Sequence, residues 1–247
     1  MRNTVIKGDT IEKMKLIPDN SVDLICADLP YGKTKNPWDV VIPPHLLWEQ
    51  YWRILKPNGV VFLFGQDKFT AMMMLSDKNH RYNLIWEKTS ATGHLNSGRM
   101  PMRSHEDMMV FYKKLPTYNP QKTTGHVRKV SSAKHKRNSK KTTNWGEHEF
   151  TSYDSTERFP RSVWKFATDK QKKAWHPTQK PVALLEEIVK TYSNEGDVVL
   201  DNVAGSGTTG EACLLNDRKF ILIEGDPENI KTIRERLTPL NDNIDYV

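Results

Sequence analysis

The chain is poor in cysteine. Only Cys26 and Cys213 occur in 247 residues, and both sit in apolar runs. They read as small buried residues of a reducing compartment, which excludes a disulfide framework and a cysteine-based metal centre. The eight histidines are scattered without metal-ligand spacing. No stretch of about 18 apolar residues occurs, so no membrane-spanning helix is expected. The first residues, Met1-Arg2-Asn3-Thr4, lack the apolar run of a secretory signal, and a cytoplasmic location is expected. A Gly-rich segment is present, but no lysine follows its glycines, so it is not a Walker-type phosphate loop.

Acidic residues are scarce in one region. Between positions 113 and 173, 16 Lys/Arg face 5 Asp/Glu, a local charge of +11. The whole chain carries +7, which leaves −4 for the remainder. A strongly basic segment in an otherwise acidic chain points to a polyanionic partner. Residues 122–144 are mostly Ser, Thr, Lys and Asn with no apolar face, a composition that stays disordered when isolated. Aromatic residues among the charges suit nucleic acid, because rings stack while Lys and Arg neutralise phosphate. The expected contacts are Lys122, Arg128, Lys129, Lys134, Lys136, Arg137, Lys140, Lys141 and Trp145. A merely flexible loop is the competing reading.

What is abundant is alternation of strand and helix. Residues 4–8, 22–27, 60–64, 84–86, 108–112, 162–166, 198–200 and 219–223 read as strands. Helical spacing follows Thr10, Pro43-Pro44, Asp67, Pro181, Thr208 and Asp226-Pro227. Lys56-Pro57-Asn58-Gly59 reads as a helix stop and turn, and residues 93–104 as a mobile loop. The alternation predicts a mostly parallel sheet with helices on both faces, the first strand lying beside the last, which ends at Glu224.

Two of these strand ends carry chemistry. Asp28-Leu29-Pro30-Tyr31 follows the strand at 22–27, and the carboxyl edge of an open α/β sheet is where ligands bind. An ordinary proline-containing turn is the bland alternative. The second end opens Asp201-Asn202-Val203-Ala204-Gly205-Ser206-Gly207-Thr208-Thr209-Gly210. Its glycines spell G-x-G-x-x-G between strand and helix, with Glu224 about 20 residues on, so a dinucleotide cofactor stays open. Asp201 argues the other way. Amides at a helix N-terminus face anions, and a carboxylate just before them repels a pyrophosphate. The same carboxylate suits the ammonium and sulfonium of S-adenosylmethionine, and Glu224 can accept ribose hydroxyls in either case.

Together the two stretches resemble the amino-methyltransferases that modify exocyclic amines of DNA bases. Asp28-Leu29-Pro30-Tyr31 is similar to that family's D-P-P-Y motif, with Leu29 at the first proline. Residues 201–209 resemble its D-P-F-x-G-S-G-T-T loop, with Asn202 and Val203 as departures. His176-Pro177-Thr178-Gln179-Lys180-Pro181 resembles its H-P-T-Q-K-P, and Arg103-Ser104-His105-Glu106 another of its patterns. The catalytic motif precedes the cofactor loop, as in the family's β group. The resemblance implies a doubly wound, mostly parallel seven-stranded α/β sheet, with catalytic segments at 1–112 and 158–247 and a target-recognition insert at 113–157. It implies catalysis by Asp28, Leu29, Pro30 and Tyr31. It places S-adenosylmethionine against Asp9, Thr10, Asp28, Gln179, Lys180, Asp201, Ala204, Gly205, Ser206, Gly207, Thr208, Thr209, Glu224, Gly225 and Asp226. Asp9 would lie near the adenine and Lys180 or its neighbours near the carboxylate. Aspartate at the motif's first position suggests adenine N6 over cytosine N4. Double-stranded DNA is the expected partner, without a membrane or metal; a homodimer and a cognate restriction endonuclease are further partner expectations.

The chemistry fits those residues. An exocyclic amine is a weak nucleophile because the ring withdraws its lone pair. Accepting hydrogen bonds from its N–H groups favours pyramidal nitrogen, and the Asp28 carboxylate and Leu29 carbonyl can accept them. Pro30 has no N–H to compete and stiffens the loop. Tyr31 can stack on a base taken out of the duplex. The same chemistry on cytosine N4, on RNA or on a protein glutamine amide, and a non-catalytic nucleic-acid-binding protein, are the alternatives.

Overall fold

The computed structural model describes residues 2–33, 36, 39–132, 152–168 and 179–247. The chain divides into two compact units, one of Met1–Asn119 with Ser162–Val247 and one of Pro120–Arg161.

The larger unit holds one nine-stranded sheet. In chain order its elements are β1 (Thr4–Lys7), α1 (Thr10–Met14), β2 (Val22–Ala27), α2 (Pro44–Ile54), β3 (Leu55–Gly65), α3 (Asp67–Ser76), β4 (His80–Thr92) and β5 (Arg103–Phe111). Strands β6 (Lys129–Ser131) and β7 (Tyr153–Ser155) belong to the smaller unit. Then come β8 (Val163–Phe166), α4 (Val182–Tyr192), β9 (Val198–Asp201), α5 (Thr208–Leu214), β10 (Lys219–Glu224), α6 (Pro227–Leu237) and β11 (Asp245–Tyr246). The sheet order is β11-β1-β10-β9-β2-β3-β5-β4-β8. Strand β5 runs antiparallel to both neighbours, and all other pairings are parallel. Seven strands form the body, and β11 and β8 extend it at the two edges.

Side chains alternate between two cores, as strand geometry requires. Leu24, Cys26, Phe62, Phe64 and Val199 face one side, against Leu184 and Ile188 of α4, Cys213 of α5 and Ile233 of α6. Ile25, Ala27, Val61, Leu63 and Leu200 face the other, against Met14, Leu47, Tyr51, Ile54, Phe69 and Met73 of α1, α2 and α3. A sheet buried on both faces explains why its central strands read as unbroken apolar runs. Cys26 and Cys213 are buried free thiols.

The turn expected at Lys56–Gly59 is instead part of β3. Val22 pairs with Leu55 but Leu24 pairs with Val60, so the segment bulges out of the ladder. Lys56 Nζ holds both oxygens of Asp23 at 2.8 Å, and a Cβ at Gly59 would sit 2.9 Å from the Asp23 carbonyl oxygen. Pro57-Asn58-Gly59 carries turn chemistry, but the pairing on both sides keeps it in the sheet. Of residues 93–104, Arg103 and Ser104 join β5, and His94–Asn96 form one 3₁₀ turn.

The smaller unit is not featureless. β6 and β7 pair antiparallel, and Thr123 bridges Arg158. Arg158 donates to the carbonyls of Ser155 and Glu157 and so ties the ladder to its flank. Backbone pairing here organises a sequence whose side chains show no apolar period.

Candidate active site

Four parallel neighbours, β1, β10, β9 and β2, end side by side. Each ends on or just before an acid: Asp9 after β1, Glu224 on β10, Asp201 on β9 and Asp28 after β2. They line a cavity of about 790 Å³. Every catalytic and cofactor position expected from the sequence lines it except Gly207. Gly207 acts through the backbone: its φ of +78° is left-handed, and a Cβ there would lie 3.0 Å from Ile233.

The glycine loop is held from below. Asp201 is buried, accepting the Thr209 hydroxyl at 2.6 Å and the Val203 N–H at 3.1 Å. Burial pushes its carboxyl up to about 7, with Asp28 and Glu224 adding to the rise and the two hydrogen bonds opposing it. Glu224 accepts the N–H groups of Gly205 at 2.7 Å and Asp226 at 2.8 Å. Asn202 is a cross-brace: it donates to Thr10 Oγ1 at 2.8 Å and accepts the Tyr51 hydroxyl at 2.7 Å. The departure from the family pattern is therefore a buried structural residue. Arg236, which the sequence did not single out, donates to Thr208 Oγ1 at 2.6 Å and Gln179 Oε1 at 2.8 Å. Asp9 and Asp226 each cap a helix, accepting the N–H of Glu12 at 3.0 Å and Glu228 at 2.8 Å.

The Asp28 loop is pinned at both ends. Asp28 Oδ1 accepts the Tyr31 hydroxyl at 2.6 Å, and Oδ2 accepts Lys180 Nζ at 2.5 Å. Leu29 buries its side chain in the core with Ala27 and Phe69, where a larger apolar residue can replace proline. Asp39 receives the N–H groups of Gly32 and Lys33 at 2.8 and 2.9 Å. The Tyr31 ring packs on Phe69, with centroids 4.7 Å apart. Burial and the adjacent Asp28 raise the Tyr31 hydroxyl well above the usual tyrosine range, so it stays a donor.

Lys180 reaches further. It also pairs with Glu106 Oε2 at 3.1 Å, and Glu106 Oε1 accepts Lys88 Nζ at 2.5 Å. The Lys180–Glu106 contact is an ion pair rather than a directed hydrogen bond. Lys88 was not singled out by sequence; Glu106 lay in a recognised pattern but without a role. Of the expected nucleic-acid contacts, Lys122, Arg128 and Lys129 lie exposed in the smaller unit. Lys134, Lys136, Arg137, Lys140, Lys141 and Trp145 lie outside the described residues, as do His176, Pro177 and Thr178.

A family model described as DNA methylase matches residues 22–235. The chain belongs to this N6/N4 DNA methylase family. It is 31% identical to the DNA adenine methyltransferase YhdJ of Escherichia coli K12, over 95% of this chain and 82% of that protein. It is 30% identical to the type II methyltransferase M.HpaI of Haemophilus parainfluenzae, over 96% of this chain and 74% of that one. In fold it is similar to the M1.HpyAVI–SAM complex, with a TM-score of 0.67 and 23% identity over 95% and 98% of the two chains. The PvuII cytosine-N4 DNA methyltransferase gives the same TM-score at 14% identity, over 99% and 95%. This methylase is a DNA methyltransferase with S-adenosylmethionine as methyl donor. The cavity fits that donor: acids flank the loop where a phosphate would need cations, and Val203, Ala204 and Ile223 supply an apolar wall. Among the described residues, no helix is long and apolar enough to cross a membrane.

Proposed function

We propose that this methylase transfers the methyl group to the N6 amine of adenine in duplex DNA, at a sequence selected by the unit at 120–161. The observation that carries the reading is Asp28 on the sheet's carboxyl edge, in the same cavity as Asp201 and Glu224. S-adenosylmethionine, when bound, supplies an electrophilic methyl on a sulfonium. The chain supplies position. Asp28, fixed by Tyr31 and Lys180, keeps lone pairs for one amine N–H, and the Leu29 carbonyl takes the other. Glu224 and Asp201 hold hydroxyl and cationic groups of the donor; Asp9, Thr10, Gln179, Gly225 and Asp226 line its remaining walls. One face of Tyr31 rests on Phe69, which sets the ring for stacking on a base turned out of the duplex.

Adenine is favoured over cytosine by Asp28 at the motif's first position and by the adenine activity in the name of the YhdJ relative. Cytosine N4 remains the second reading, because the family spans both amines. Lys122, Arg128, Lys129 and the further basic residues to Lys141, with Trp145, serve as phosphate and base contacts. A cytoplasmic enzyme acting as a homodimer beside a cognate endonuclease completes the reading. Labelled methyl incorporation into DNA, followed by nucleoside separation, tests it. The expected product is N6-methyl-2′-deoxyadenosine; N4-methyl-2′-deoxycytidine, or label in RNA or protein alone, overturns it.

A further inference from the structure

Two lysines and two acids form a buried chain on the wall of the cavity. It runs Lys88–Glu106–Lys180–Asp28, with contacts of 2.5, 3.1 and 2.5 Å. The side chains of Lys88, Glu106 and Lys180 are 7%, 7% and 9% exposed. Burying three charged side chains is costly, and an apolar wall of equal volume would serve stability as well. The chain also crosses the whole site. Lys88 is on β4, Glu106 on β5, Lys180 precedes α4, and Asp28 follows β2.

Each link has a reason. Lys180 is a long side chain that lies against the Phe64 ring, with Nζ 5.0 Å from its centroid. On its own it would lose rotamer entropy to reach Asp28. Glu106 draws it from the far side and fixes it. One lysine between two carboxylates leaves a buried negative charge, and Lys88, over Trp86 at 5.0 Å, neutralises it. Burial opposes the Lys180 ammonium, but Asp28 and Glu106 outweigh it and hold it above the usual lysine value. Burial opposes the Glu106 carboxylate, but Lys180 and Lys88 hold it below the usual value. Two lysines against two carboxylates make the formal charge of the chain zero.

We propose that Glu106 and Lys88 are positioning residues for methyl transfer: they anchor Lys180, and Lys180 sets the Asp28 carboxylate toward the target amine. Lys180 on this account serves Asp28 rather than the carboxylate of the cofactor. The inference rests on the assignment of Asp28 as the amine acceptor.

Steady-state and single-turnover methylation of DNA test it, with cofactor affinity measured by calorimetry. Glu106→Gln should lower kcat by about tenfold to a hundredfold, as misorientation of a reacting group does. KM for DNA and Kd for S-adenosylmethionine should stay within about threefold of wild type. Glu106→Gln leaves Lys88 unpaired, so its loss of activity could reflect unfolding. The double variant Lys88→Met, Glu106→Gln restores zero charge. It should recover the wild-type melting temperature and keep the low kcat. The proposal fails if Glu106→Gln turns over within about threefold of wild type, or if the double variant recovers rate along with stability. It also fails if Lys180→Gln weakens cofactor binding more than about tenfold while kcat at saturation holds, since Lys180 would then be a cofactor ligand. An active Asp28→Ala would sink the underlying assignment; an inactive Asp28→Ala with a normal Glu106→Gln would sink only this inference.

Discussion

Two ion pairs of almost equal length sit in different surroundings. Lys88–Glu106 spans 2.5 Å with both side chains 7% exposed. Arg128–Asp154 spans 2.6 Å with side chains 68% and 51% exposed. The first is shielded from water, so it fixes the geometry of the cavity wall. The second is solvated and screened, so it contributes little and yields readily to a competing anion. Lys122 repeats the pattern, pairing with Glu157 at 3.0 Å while lying over Phe159. Distance therefore does not separate the two regions; burial does. The buried charges are arranged in advance, whereas the exposed ones are held provisionally, which suits the phosphate contacts proposed for the insert.

The sharpest break in this contrast is Asp28→Ala. It removes the proposed amine acceptor, and methyl transfer should fall by about 10²–10³ or more, by analogy with loss of one preorganised donor. DNA affinity should be unchanged. Single-turnover rates at saturating cofactor, with a parallel binding titration, check both halves.

Asp201 tests the cost of burial. Its carboxyl titrates near 7 in the folded chain and near 3.8 when unfolded. Between those values the folded state binds more protons, so stability should fall as pH rises from about 4 to about 7. The whole change is at most roughly 4 kcal/mol. Asp201→Asn should flatten the dependence, as read from melting curves across that range. A stability that instead rises steadily over the window contradicts the burial argument.

Glu224→Gln should weaken S-adenosylmethionine binding by roughly 1.5–3 kcal/mol, the size of one charge-assisted hydrogen bond. The amide cannot accept through both ends, so the Gly205 and Asp226 N–H groups also lose symmetry of support. Calorimetry is the measurement, and an unchanged affinity would remove Glu224 from the cofactor site.

The smallest effect belongs to the surface. Arg128→Gln with Lys129→Gln should weaken DNA binding by about tenfold and reduce the slope of log affinity against log salt by up to about 2. The rate at saturating DNA should hold. A changed rate with an unchanged slope would reverse the division of labour between the two regions.

Much of the site was legible because its signals are local. Asp28-Leu29-Pro30-Tyr31 and the glycine loop each follow an apolar strand, and strand ends place chemistry whatever the distant sequence does. Turn chemistry misled at Lys56–Gly59, where pairing of β3 with β2 overrides Pro57-Asn58-Gly59. Backbone pairing also gave the insert a ladder that its side chains do not announce. In both cases hydrogen bonding between distant segments decided the outcome, and such bonds leave no periodic trace.

By itself, the sequence determined the alternation of strands and helices, the acids at their ends and the basic stretch, since each depends on residues within a few positions of one another. Tertiary structure alone decided which of those residues meet. Lys180 finds Asp28 across 152 positions, and Asn202 finds Tyr51 across 151. Lys88 and Glu106 look like ordinary polar positions on two strands until antiparallel pairing of β4 and β5 turns both into the same cavity. A buried charge is tolerated only where its partner is already in place, and that partner is supplied by the fold rather than by any neighbouring residue.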